Sequence, residues 1–242
     1  MTNPVRRHRL FVAAQQSGSL SEAASLSHAS NYELLLFKLQ QDMAQLGRIE
    51  SIARKAEVKQ GMLPTYLPWV AGVLAQGSGE QDDILMRMLI WHLDVSDITR
   101  ALDIAEYAIK HDLVTPDSFK RTTACLIAEE VAAIAQRTLT DQKPLDTPQL
   151  LRAQQILTGQ DMPDMVCARL LKFVGYALRQ DGDNVLALAN LKTALQLDDN
   201  SGVKTDIKNL EKLIKPLKKN SIRRNCCRQF GRGQRGATGA YT

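Results

Sequence analysis

Aromatic side chains are scarce in this 242-residue chain, at 5% of the total, and long β-branched runs are missing. Leu, Ala, Ile and Gln dominate instead, within a hydrophobic share of 44%. That balance predicts an all-α protein. No apolar run reaches the roughly 18 residues of a membrane span, so the chain is expected to be soluble, with no membrane partner. The opening residues, MTNPVRRHRLFVAAQQSG, are basic and then briefly apolar, but the apolar part is too short for a secretory signal. The four cysteines never form a C-x-x-C, so no zinc or other metal site is expected. Cys125 and Cys167 lie in apolar helical contexts, where a free thiol acts as a small hydrophobe. Adjacent Cys226 and Cys227 seldom bridge each other, and a reducing cytoplasm is the simplest setting.

The motifs of common chemistry are also missing. There is no G-x-x-x-x-G-K-[ST] phosphate loop, no G-x-S-x-G nucleophile turn and no H-E-x-x-H zinc helix. The four histidines, His8, His28, His92 and His111, are scattered. His92 reads as a satisfied core histidine, and His111 as a cation near a helix end. A metal-dependent nuclease would need several carboxylates converging on an ion. Asp82 with Asp83, and Glu129 with Glu130, are the candidates. Neighbours on a helix diverge by about 100°, so neither pair can chelate an ion alone. First-turn charge and a solvated face explain them more simply, since nothing in the sequence supplies the remaining ligands.

What the chain does have is unevenly placed charge. The net is +5, yet from Lys215 onward there are eight bases, Lys215, Lys218, Lys219, Arg223, Arg224, Arg228, Arg232 and Arg235, and no acid follows Glu211. The remaining 23 bases face 26 acids, so a mildly acidic body carries a basic arm. Such arms bind polyanions, nucleic acid first among them.

Periodicity divides the chain into a flexible arm over 1–30, a long helix over 31–60, a helical core over 61–214 and a disordered basic tail over 215–242. In the long helix Tyr32, Leu35, Leu39, Leu46, Ile49, Ala53 and Ala56 fit a coiled-coil seam, with Met43 taking the place of Asp42. Arg48, Arg54, Lys55 and Lys59 make its late outer face basic, a candidate DNA contact. Gly61 is expected to end this helix, with Pro64 and Pro68 opening a short one closed by Gly77-Ser78-Gly79. The core follows as helices from Asp82 or Asp83, from Ser96 or Asp97, over 124–139, from a Thr147 cap before Pro148, and over 203–213. Leu171, Gly175, Leu178, Gly182, Ala187, Leu191 and Ala194 suit a tetratricopeptide-like pair. Leu85, Leu89, Ala101, Ala105 and Ala108 repeat five of those positions 86 residues earlier. The expected fold is therefore a compact helical domain built partly from solenoid-like pairs.

The run LPWVAGVL, followed by GEQDDILMRMLIWHLDVSDITRALDIAEYAIKH, resembles the small terminase subunit of Peduovirus-type temperate phages and prophages. The likeness continues at Ala128-Glu129-Glu130-Val131-Ala132, at Asp161-Met162-Pro163-Asp164 and through 175–215. It implies DNA packaging in the bacterial host cytoplasm. There a small subunit binds cohesive-end, double-stranded DNA and brings the large subunit, which carries ATPase and nuclease, to it. The family also carries an endonuclease label, which implies Mg²⁺ if taken literally, and its members commonly form homo-oligomers, with the 32–56 seam as the candidate contact here. One departure stands out: family members usually end in a Lys/Pro/Ala-rich tail, whereas this chain ends SIRRNCCRQFGRGQRGATGAYT.

Overall fold

The computed structural model describes residues 25–116 and 121–214, with isolated positions 9 and 12 before them. Among these residues the chain is helical and without strands. The expected arm over 1–30 falls mostly outside them, and the basic tail entirely. Eight helices run in order: α1 (Ser25–Gly47), α2 (Ile52–Gln76), α3 (Asp83–Asp94), α4 (Ile98–Lys110), α5 (Thr123–Thr140), α6 (Thr147–Leu157), α7 (Asp164–Gln180) and α8 (Asn184–Leu197). A further helical run covers 204–214. None of the described helices is long and apolar enough to cross a membrane.

The expected 31–60 helix is two helices. The chain leaves α1 after Gly47, turns through Arg48 and Ile49, and restarts with Ser51 as a cap that accepts from the Arg54 amide. The stop expected at Gly61 does not occur. Helix α2 instead runs straight through Gly61, Pro64 and Pro68. An interior proline removes a backbone bond and crowds the carbonyl four residues earlier, at about 3 kcal/mol each. Here burial outweighs it. Leu63, Tyr66, Trp69, Val70 and Val73 are all buried along this helix, and each such side chain contributes about 1.5–3 kcal/mol. Gly77, with φ of 66°, ends the helix by donating its amide to the Val73 carbonyl.

The rest is three helix pairs. Helices α3 and α4 turn through 95–97, α5 and α6 through 141–146, and α7 and α8 through 181–183. Helix α3 is apolar nearly all round and buried nearly all round, from Ile84 to Leu93, as expected for a helix enclosed by others. The two segments that repeat at an 86-residue offset are α3–α4 and α7–α8, and α5–α6 lies between them. Polar ties hold the pairs in register. The Gln180 side chain brackets Leu145, accepting from its amide at 2.8 Å and donating to its carbonyl at 3.2 Å. Arg152 on α6 reaches Asp103 and Glu106 on α4, both at 2.8 Å. Gly175 faces α8 so closely that a Cβ there would lie 2.7 Å from Leu191 Cδ2.

Of the two residues expected to cap α4, Ser96 and Asp97, it is Asp97 that does so. The cap of α6 differs from expectation. Asp146, not Thr147, caps α6 by accepting from the Gln149 amide, which leaves the buried Thr147 hydroxyl without a partner. Helices α3, α4, α5 and α7 end alike, with the residue after the cap in the left-handed region and the next amide bonded back to the carbonyl five residues earlier. Those bonds join Asp97 to His92, Leu113 to Ala108, Lys143 to Thr138 and Asp183 to Leu178. Only α7 uses glycine for this, at Gly182, whereas Ser96, Asp112 and Gln142 adopt positive φ with a side chain. A non-glycine residue pays about 1 kcal/mol for that conformation. Gln142 is exposed, so Gln142→Gly is expected to raise stability by up to about that amount, read as a higher melting temperature. An unchanged or lower one would show that the loop depends on the glutamine side chain.

Candidate nucleic-acid interface

The tip of the α1–α2 hairpin carries the first candidate DNA contacts. From Gly47 to Met62 no side chain is fully buried, although Ile49, Val58 and Met62 pack partly against the core. Arg48 and Arg54 are exposed and Lys55 half-buried. Lys59 is different, because its ammonium pairs with Asp94 at the end of α3 and ties the hairpin to the body. Glu50 and Glu57 stand among these bases, so the surplus charge at the tip is small. The other named candidates, Lys215, Lys218, Lys219, Arg223, Arg224 and Arg228, lie outside the described residues.

The predicted seam is turned inward. Leu35, Leu39 and Leu46 are buried in the protein's own core, with Tyr32 and Ile49 packed against it. The expected exchange of Met43 for Asp42 is reversed: Asp42 is 4% exposed and Met43 39%. Asp42 holds this position by accepting from the Tyr66 hydroxyl at 2.7 Å and pairing with Lys38 one turn earlier. Burial of Tyr66 and the acid beside it push that phenol well above its ordinary range. The opposite face of α1 leaves Leu34 and Phe37 in solvent, at 67% and 60% exposure.

The four candidate carboxylates are placed as follows. Asp82 is buried at the start of α3. One of its oxygens accepts from the Leu85 amide and the other from the Trp69 indole, both at 2.8 Å. Burial holds its carboxyl above the usual range in spite of those two bonds. Asp83 follows in the first turn, where helix dipoles favour an anion. Glu129 on α5 pairs with Arg121, and Glu130 is half-buried beside it. Among the described residues no three His, Cys, Asp or Glu side chains gather as a set able to hold a metal ion. With the oxygens of Asp82 engaged and Glu129 paired, these residues do not fit a Mg²⁺ centre. His92 is buried and meets Asp97 at 3.2 Å, and desolvation lowers its pKa despite that acid. His111 stacks on Tyr107, with ring centres 4.5 Å apart. Cys125 is buried and Cys167 half-buried, both as free thiols.

Cavities on the described surface include one of about 270 Å³ beside the α4–α5 connection and one of about 420 Å³ between Tyr176, Arg179 and Asp206. In the second, Asp206 already accepts from both Tyr176 and Arg179. Neither gathers a nucleophile with a base.

Comparison with known proteins agrees with the resemblance read from the sequence. The model of the family described as phage small terminase subunit matches residues 36–165. The chain is 44% identical over 216 residues to the "Terminase, endonuclease subunit" of Escherichia phage P2, covering 89% of this chain and 87% of that protein. It is 24% identical over 208 residues to the "Probable terminase, endonuclease subunit" of Haemophilus phage HP1 (strain HP1c1), covering 80% and 74%. No solved structure matches it. With the family model spanning more than half of its length and the phage P2 protein aligned along most of it, the chain belongs to the phage small terminase subunit family.

Proposed function

We propose that this chain, as a terminase small subunit with a role in phage DNA packaging, is the DNA-recognising adaptor of the packaging machine. It binds double-stranded DNA at the cohesive-end site and brings the ATPase and nuclease of the large subunit there. The observation that carries the reading is charge placement. Residues 215–242 hold eight bases and no acid, against 23 bases and 26 acids before them. Arg48 and Arg54 add exposed cations at the hairpin tip. Lysine and arginine on such surfaces neutralise phosphates and release counterions, which makes binding strong, salt-sensitive and largely indifferent to sequence. The helical body is the part left to engage the large subunit.

Removing residues 215–242 is expected to weaken binding of all duplexes alike and to flatten the salt dependence, in gel-shift titrations of the purified chain at several salt concentrations. Equal affinity with and without the tail would show that the tail is not the DNA contact.

A second reading is kept by the names of both relatives, which contain "endonuclease subunit". It takes the chain as a Mg²⁺-dependent nuclease that cuts the packaging site itself. Cohesive-end DNA incubated with the purified chain and Mg²⁺ separates the two. Binding without cutting supports the adaptor. Nicking that disappears in Asp83→Ala or Glu129→Ala makes the endonuclease name literal.

A further inference from the structure

The 204–214 helix is fastened to the body by one face. Val203, Ile207, Leu210 and Ile214 are buried against it. Both acids of the helix are held by neighbouring helices. Asp206 accepts from the Tyr176 hydroxyl at 3.1 Å and from Arg179 at 2.8 Å, and Glu211 pairs with Lys192 of α8 at 2.6 Å. What remains is a row of three exposed lysines, Lys204, Lys208 and Lys212. Spaced four residues apart, they stack along one side of the helix. No ion pair among the described residues reaches any of them.

Folding alone does not favour this row. Like charges four residues apart repel on a helix, and Lys204 sits in the first turn, where the backbone dipoles favour an anion. The buried face needs only Val203, Ile207, Leu210 and Ile214, so the lysines add nothing to packing. Their placement calls for an anionic partner outside the fold.

We propose that Lys204, Lys208 and Lys212 form a rigid contact for the sugar-phosphate backbone of duplex DNA. This deepens the DNA-binding reading above and rests on it. At 1.5 Å of rise per residue the three ammonium stems leave the helix about 6 Å apart, over a ridge of about 12 Å. Each carries a point charge on a flexible four-carbon stem, suited to phosphate oxygens of one strand and unable to read base edges in this arrangement. Lys215, Lys218 and Lys219 follow directly in the sequence. The ridge therefore fixes where on the body the duplex meets the protein. This differs from a tail acting alone, because a contact held on a packed helix sets an orientation.

The test uses the full chain and a labelled duplex of about 30 base pairs, titrated at salt concentrations from about 50 to 200 mM, where each phosphate contact contributes about 0.9 to the logarithmic salt slope. The variant Lys204→Gln/Lys208→Gln/Lys212→Gln is compared with the parent and with the corresponding triple arginine variant. Circular dichroism checks that all three keep their helix content. The glutamine variant is expected to lower the slope by about 2 to 3 and to weaken binding tenfold or more at the upper end of that salt range. The arginine variant is expected to keep both. An unchanged slope in the glutamine variant, with the parent binding normally, overturns the ridge alone. The same holds if that variant binds DNA as the parent does but loses the large subunit, which would give the ridge to an acidic protein surface. A parent chain that binds no DNA at the lowest salt overturns the adaptor reading itself.

Discussion

Gly175→Val is expected to lower stability by about 3 kcal/mol, at the upper end of what overpacking a filled core costs. For a chain of this size that is a fall in melting temperature of about 10 °C. The reason is the closeness of α7 to α8. A Cβ at position 175 would lie 2.7 Å from Leu191 Cδ2, 2.8 Å from Leu191 Cγ and 3.3 Å from the Ala187 carbonyl oxygen. Leu191 is fully buried, so its side chain has no open space to move into, and the carbonyl belongs to a helix backbone. Ala187 and Ala194, also fully buried, show that the whole crossing is built from small side chains on the α8 side, with Leu191 filling the notch left by the glycine. A cycle isolates that fit. Leu191→Ala alone opens a cavity and costs about 2–5 kcal/mol. Gly175→Ala in the Leu191→Ala background places a methyl group into that cavity, so the double variant is expected to be more stable than the sum of the singles predicts. Strict additivity would mean that the two positions do not share the same space.

The second large effect is expected at Asp82. Asp82→Ala removes the cap of α3, worth about 1 kcal/mol, and strands the buried Trp69 indole donor, at about 1–3 kcal/mol more. Asp82→Asn removes the charge and keeps one acceptor oxygen, which can still cap the Leu85 amide, while its NH2 faces the Trp69 indole donor. Its effect runs the other way with pH. Burial raises the Asp82 carboxyl above its ordinary value of 3.8, so the folded chain takes up a proton at this site before the unfolded chain does. The stability this provides is fully present below the unfolded pKa and is lost as pH rises through the folded one. Asparagine does not titrate, so Asp82→Asn should gain on the parent as pH rises through that window. Denaturant melts followed by circular dichroism measure both variants. A parallel pH dependence in parent and Asp82→Asn would remove Asp82 as the source. The asparagine variant also serves the nuclease question, since it alters the carboxylate without dismantling the start of α3.

The central helices were legible because their residues agree at every level. From Ile84 to Leu93 the apolar pattern leaves no polar face, and Asp97 stands where a cap is needed. The 31–60 region was misread because Gly61, Pro64 and Pro68 are local stop signals, whereas the helix is held by the long-range packing of Tyr66, Trp69 and Val70. The true break had its own quieter signals in Gly47 and Ser51. Asp42 was set aside as too polar for a buried seam. Its partner, Tyr66, lies 24 residues away on another helix, and no periodic reading of α1 alone could supply it. The lysine row at 204, 208 and 212 was hidden by Asp206 and Glu211, which cancel it in a running sum of charge. It emerges only once both acids are seen to be held by Tyr176, Arg179 and Lys192.

The two prolines in α2 have a mechanical consequence. Pro64 stands 12 residues after Ile52, a lever of about 18 Å at 1.5 Å per residue, and sharp helix bends of more than about 20° concentrate at proline. A bend of that size at Pro64 swings Arg48 and Arg54 sideways by about 6 Å, close to two base-pair steps of about 3.4 Å along a duplex. Between pivot and tip the lever is held to the body by the Lys59–Asp94 pair and by Val58 and Met62, which pack against the core. The hairpin thus joins a stiff shaft to a proline hinge, and the contacts between hinge and tip decide how far its basic end can swing.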